Sequence, residues 1–234
     1  MFKNDNSGPD YGFQNNNDHD YILKIIEQFA AYLWAIVFNK RTQNYDLAIG
    51  KIEEAYTGLL YKNGNDIKGL SVDEIIKNNT NGNIIEKDNI EIIANLLYEE
   101  AEIIELINGK NNLSFEYYSK SLKLFFLLMN ETNSKKYNKN VDENILKLEY
   151  YEIDNEINIE IYKYYYENGL FGKAEDKLYQ LLDHNYPEII NIINEFYGLL
   201  IKKEDVELEK GNLPRNEVIE AIENLGKIKA KYGK

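Results

Sequence analysis

At 234 residues the chain is long enough to bury a sizeable core, and a composition 44% hydrophobic and 13% aromatic is unlike that of a disordered chain. A formal net charge of −13 and a pI of about 4.8 repel nucleic-acid phosphate and anionic lipid, so neither is expected as a partner. The absence of cysteine excludes disulfide frameworks, thiolate zinc sites, iron–sulfur ligation and cysteine nucleophiles.

Residues 1–17 are polar and rich in Asn, Asp and Gly, and read as a flexible lead-in without the basic start and apolar core of a signal peptide. A first helix is expected from about Asp18 to Asn39. It is apolar on most sides, which implies deep burial or a partner. Its longest apolar run, Phe29 to Phe38, is too short to span a bilayer, so no membrane insertion is expected. A second helix covers about Asn44 to Tyr61, with Tyr45, Ala48, Ile49, Ile52, Ala55, Tyr56, Leu59 and Leu60 forming one apolar stripe. Residues 62–87 form a polar insertion in which the capping-box spacing of Ser71 and Glu74 predicts a short helix near 72–78. Asp88 and Glu91 repeat that spacing and open a long helix to about Ile107. Another helix runs from about Ser114 to Asn130, striped by Phe115, Tyr118, Leu122, Phe125 and Met129. A second polar linker covers 131–141. Helices follow at about 142–151, 154–168, 171–184, 188–210 and 215–231, and Pro187 and Pro214 fit the first turns of the last two. No segment shows sustained strand alternation closed by a hairpin turn, and the alternation in Glu152–Ile161 is read as helical from its neighbours.

Three segments share a turn pattern: Gln43 through Ala48, Gly109 through Ser114, and Gly169 through Ala174. Each continues with residues four and seven positions on: Ile52 and Ala55, Tyr118 and Ser121, Leu178 and Leu181. Gly ends one helix in a left-handed conformation, and a small residue lets the next helix approach closely. The pattern resembles that of tetratricopeptide repeats. It fits best in the third unit, where Tyr165, Gly169, Phe171 and Ala174 fall in place. It fits less well in the second, where Glu102 and Glu105 stand in place of small and aromatic residues. Units lie about 60 and 66 residues apart, against roughly 34 in a regular array. The expected fold class is all-α: stacked antiparallel helix pairs in a tetratricopeptide-like right-handed superhelix with irregular insertions, forming one domain over 18–231.

Two strings carry a further resemblance. Asp20-Tyr21-Ile22-Leu23-Lys24-Ile25-Ile26-Glu27-Gln28 lies near the start and Leu213-Pro214-Arg215-Asn216-Glu217-Val218 near the end. With the helix pairs between them they resemble a bacterial family of uncharacterised proteins of tetratricopeptide-like structure. The resemblance spans about residues 18–231 and implies a fold, not an activity.

Candidate chemistry is sparse. His19 and His184 lie near opposite ends of the chain without a Glu-x-x-His spacing, and His184 reads as a helix-end residue. Glu99, Glu102 and Glu105 line one helix face and suit either a hard cation or, more simply, a solvated acidic stripe. Neither G-x-x-x-x-G-K nor G-x-G-x-x-G occurs. In the cluster Tyr162, Tyr164, Tyr165 and Tyr166, Tyr162 and Tyr165 are expected to face inward, leaving Lys163 and Tyr166 on a concave face. Trp34 reads as a core or interface residue. The expected function is therefore non-enzymatic: a cytoplasmic protein- or peptide-interaction module, without cofactor or metal. The expected partner is a protein or peptide of basic character, met by Glu99, Lys163 and Tyr166. Self-association is expected through the first helix, about Ile22–Phe38. The alternative is a small-molecule sensor or enzyme with a pocket around Glu99–Glu105 and Tyr162–Tyr166.

Overall fold

The computed structural model describes the backbone of residues 15–232 and the side chains of residues 23–226. Residues 1–14 of the expected lead-in lie outside the described residues, and Asn15–Asn17 already belong to the first helix. The described chain is all-α apart from one short hairpin, and it divides into two compact units, one up to Leu148 and one from Glu149.

In the first unit, α1 (Asn15–Arg41) and α2 (Tyr45–Leu60) pack as a hairpin. The stripe of α2 turns Ala48, Ile52, Ala55, Tyr56, Leu59 and Leu60 into the core. The insertion that follows is ordered: α3 (Gly64–Lys68), α4 (Val72–Asn78) and an antiparallel pair, β1 (Thr80–Asn81) and β2 (Ile84–Ile85). Two-residue strands are too short to show alternation, which is why the sequence hides them. The Ser71–Glu74 capping box forms as expected: Ser71 N–H donates to Glu74 Oε2 at 2.9 Å and Glu74 N–H to Ser71 Oγ at 3.3 Å.

The long α5 (Lys87–Asn108) pairs with α6 (Asn112–Thr132) and also touches α1 and α2. The expected box at Asp88 and Glu91 does not form. Glu86 takes the cap position, while the Glu91 carboxylate is drawn away by Lys136 and Tyr137. Asn111 caps α6, which makes Ser114 its third residue instead of its first. A 3-10 turn, Lys135–Tyr137, capped by the Ser134 hydroxyl, leads into α7 (Asn138–Leu148), which starts four residues earlier than the expected 142.

The second unit pairs α8 (Asn155–Glu167) with α9 (Phe171–Asp183), followed by α10 (Ile189–Leu200), α11 (Asp205–Lys210) and α12 (Arg215–Tyr232). The single helix expected at 188–210 is thus two. The break has a specific cause: the Arg215 guanidinium donates to the carbonyls of Ile201 (2.8 Å) and Lys203 and to the Asp205 carboxylate, so those carbonyls leave the helical ladder. Glu204 and Glu207 then form the box that starts α11.

The three turns singled out in the sequence join the three most extensively packed helix pairs, α1/α2, α5/α6 and α8/α9. Ala48, Ser114 and Ala174 are all fully buried, as close helix approach demands. Gly109 and Gly169 both sit at φ +72°, in the left-handed region that an L side chain rarely adopts. Gly211 serves close approach instead. A Cβ there would meet the Phe171 ring at 2.3 Å, and its carbonyl accepts from Gly172 N–H at 2.9 Å.

Two substitutions separate these roles. Gly169→Ala is expected to cost about 1 kcal/mol through left-handed strain, although nothing crowds the new methyl group. Gly198→Ala, also in open space but on the helical backbone of α10, is expected to add about 0.5 kcal/mol. Urea unfolding midpoints of the two variants, moving in opposite directions from wild type, check both.

Candidate functional site

Glu99, Glu102 and Glu105 do lie on one face of α5, but two lysines cross it. Lys40, in the last turn of α1, places Nζ 2.5 Å from Glu99 Oε2 and also against Glu102. Lys147, near the end of α7, reaches Glu102 Oε1 at 2.8 Å and Glu105 Oε2 at 3.5 Å. The Tyr118 hydroxyl donates to Glu105 Oε2 at 2.9 Å. Burial raises the Glu99 carboxyl above its usual range, and Lys40 offsets this only in part. Burial acts on Glu102 as well, but Lys147 and Lys40 together outweigh it and hold that carboxyl low. Ammonium groups thus occupy the positions a hard cation would need. Among the described residues, no group of three His, Asp or Glu side chains is placed to hold a metal ion.

The opposite side of α5 carries a second charge cluster that the sequence did not reveal. Lys68, at the end of α3, bonds Glu53 at 2.6 Å and Glu100 at 2.9 Å, and the side chains of Lys68 and Glu100 are both buried. Burial alone lowers the Lys68 pKa, yet the two carboxylates raise it overall. The Glu100 carboxyl is raised by burial, with one oxygen bonded to Lys68 and the other lacking a partner. Residues 53, 68 and 100 are too far apart in sequence for helical spacing to link them.

In the second unit, Tyr164 and Tyr165 are the buried members of the tyrosine cluster. Tyr162 and Tyr166 are half-buried together against Phe196, each with ring centroids 6.0 Å from it, and Tyr166 also packs on Phe171. Burial and the neighbouring Tyr166 push the Tyr162 phenol up to about 12. Lys163 is exposed. Of the three residues expected to meet a partner, Glu99 is therefore tied to Lys40 in the first unit, Tyr166 belongs to an aromatic cluster, and Lys163 faces outward. Glu99–Glu105 and Tyr162–Tyr166 fall in separate units. His184 ends α9, its Nδ1 3.3 Å from the Asn155 side-chain oxygen. The side chain of His19 lies outside the described residues.

On the first helix Trp34 is not a core residue. Ile36 turns inward and is fully buried, whereas Leu23, Ile26, Ala30, Trp34 and Phe38, spaced by three or four residues, share an exposed face. Trp34 is 68% exposed and Phe38 50%, and their rings stack at 5.2 Å and 12°. Glu27 is the one charged residue along that strip and interrupts it near its start; the rest of the face is apolar and aromatic over about four turns. No described helix is long and apolar enough to cross a membrane.

Fold and surfaces together define an all-α protein of packed helical hairpins. The chain belongs to DUF6483, a family of unknown function, whose sequence profile matches residues 17–230. No curated protein and no solved structure matches it.

Lys68→Met would strand the Glu100 carboxylate, and a loss of about 3–5 kcal/mol is expected at neutral pH, because a buried charge left without its partner is costly. A carboxyl whose folded pKa is raised adds stability below its unfolded range and loses it as pH rises through the folded value. The deficit relative to wild type should therefore shrink between pH 7 and pH 5, as read from denaturant melts at both.

Proposed function

We propose that the chain is a non-enzymatic protein-interaction module, built from helix hairpins stacked in the tetratricopeptide manner, that associates through the outer stripe of α1. The observation that carries this reading is the exposed run Leu23, Ile26, Ala30, Trp34 and Phe38. Folded monomers seldom leave a contiguous aromatic and aliphatic strip in water unless another surface covers it. Stacked, exposed Trp and Phe side chains are also the residue types that anchor interfaces. A second copy of the chain is the occupant we expect first, since an isologous contact pairs the stripe with itself.

The hairpin reading is supported by the left-handed Gly109 and Gly169 and by the buried Ala48, Ser114 and Ala174. A net charge of −13 favours basic character in any peptide partner. On the second unit we propose that such a peptide packs on the half-exposed Tyr166, with the exposed Lys163 one helical turn away donating to its backbone carbonyls rather than to its basic side chains.

Sedimentation velocity at tens of micromolar tests the reading. Wild type is expected to sediment as a dimer and Trp34→Glu/Phe38→Glu as a monomer of unchanged helicity, because both side chains are exposed in the free chain. A wild-type monomer, combined with an identical set of captured cell proteins for wild type and variant, would overturn it.

A further inference from the structure

The second unit holds a cavity of about 560 Å³, a volume within the range of small-molecule sites. Its walls come from the segment before α8, from α8 itself and from α9. Two buried polar groups on these walls lack what burial normally requires.

The first is Lys177. It is only 5% exposed, yet no carboxylate lies within ion-pair distance, and its one hydrogen-bond partner is Gln180 Oε1 at 3.1 Å. Lys68, the other buried lysine among the described residues, has Glu53 and Glu100 on it, and the closely packed Lys40 and Lys120 have Glu99 with Glu102 and Glu116. Burial lowers the Lys177 pKa, and the more distant Glu149 and Asp176 counter this only in part. A buried ammonium without a counter-ion costs stability and needs a reason.

The second is Asn158, 2% exposed. Its Nδ2 donates to the Ile153 carbonyl at 3.3 Å, while Oδ1 is buried and accepts nothing. Asn158 Oδ1 is sealed beneath the wall, so what the cavity offers a ligand is Lys177, a cationic donor short of an anion. Around the mouth stand three exposed acids, Glu149, Glu152 and Asp176, against one exposed cation, Lys173, so the rim is acidic on balance. That rim repels a simple anion, and Lys177 repels a simple cation. A molecule carrying both charges satisfies the whole set.

We propose that this cavity binds a small zwitterion of the amino-acid class, with its carboxylate on Lys177 Nζ and its ammonium toward the acidic rim. The site lies wholly within the second unit, so it stands or falls independently of association through α1. It adds a ligand-responsive element to a chain otherwise read as an interaction module.

The test is thermal denaturation and calorimetric titration of the full chain. The probes are each common L-α-amino acid, its deaminated carboxylic acid, and the amine lacking the carboxylate. At least one amino acid is expected to raise the melting temperature, by roughly 5 °C at about a hundred times its Kd, while its single-charge analogues do not. Lys177→Met keeps the length of the side chain and removes the unmatched charge. It should melt higher than wild type without ligand and lose the ligand-induced shift, with affinity down at least about tenfold. Glu149→Gln/Asp176→Asn, both at exposed positions, should weaken binding of the amino acid without unfolding the chain. Three results would each overturn the proposal: no amino acid shifts the transition, the deaminated acids bind as tightly as the amino acids, or Lys177→Met binds as well as wild type.

Discussion

The first unit depends on how α5 is neutralised. That helix is covered on several sides and carries Glu91, Glu99, Glu100, Glu102 and Glu105, so its acids cannot all turn to water. Four other elements each deliver one lysine to it: Lys40 from α1, Lys68 from α3, Lys136 from the 3-10 turn and Lys147 from α7. Exposed pairs of this type contribute little, and buried ones roughly break even against apolar packing. What they set is registry. Lys40 between Glu99 and Glu102, and Lys147 between Glu102 and Glu105, tolerate no slide of one helix past the other by a turn.

Much of the architecture was legible in the sequence because it rests on local spacing. The stripes of α2 and α6, the Ser71–Glu74 box and the three Gly-or-Gln turns depend on residues within about seven positions of each other. The charge clusters were not legible. Lys40 meets acids 59 and 62 residues away, and Lys68 meets one 32 residues away. Pattern reasoning saw three glutamates in line and had no means of seeing the lysines that cross them. The break after Leu200 was equally hidden, since no proline marks it, Gly198 beside it stays helical, and its cause, Arg215, lies in another helix. Trp34 shows a different limit: an all-round apolar helix is consistent with a core or with a contact face, and only the position of its neighbours decides.

Lys177 illustrates a signal that was present and is easy to pass over. It lies in the apolar stripe of α9 with Ala174, Leu178 and Leu181, all buried, where a lysine interrupts the pattern. An isolated charge on an inward face conflicts with the packing around it, and such conflicts mark places where a chain has accepted a cost in stability. The environments of the two buried lysines among the described residues thus differ in kind. Lys68 is balanced by two carboxylates, whereas Lys177 has only the Gln180 side chain on it.

The clasp made by Arg215 bears on why the string Leu213-Pro214-Arg215-Asn216-Glu217-Val218 reads as a unit. Leu213 and Val218 are buried and anchor the string from below, while Pro214 sits just before α12. The guanidinium between them reaches three separate oxygens at once. A planar fork with five N–H groups does this from one fixed orientation, whereas a lysine at the same place would carry the same charge on a single, freely turning point. The demand at this position is for shape before charge, so an otherwise conservative exchange there would undo the corner between α10 and α11 while leaving the net charge unchanged.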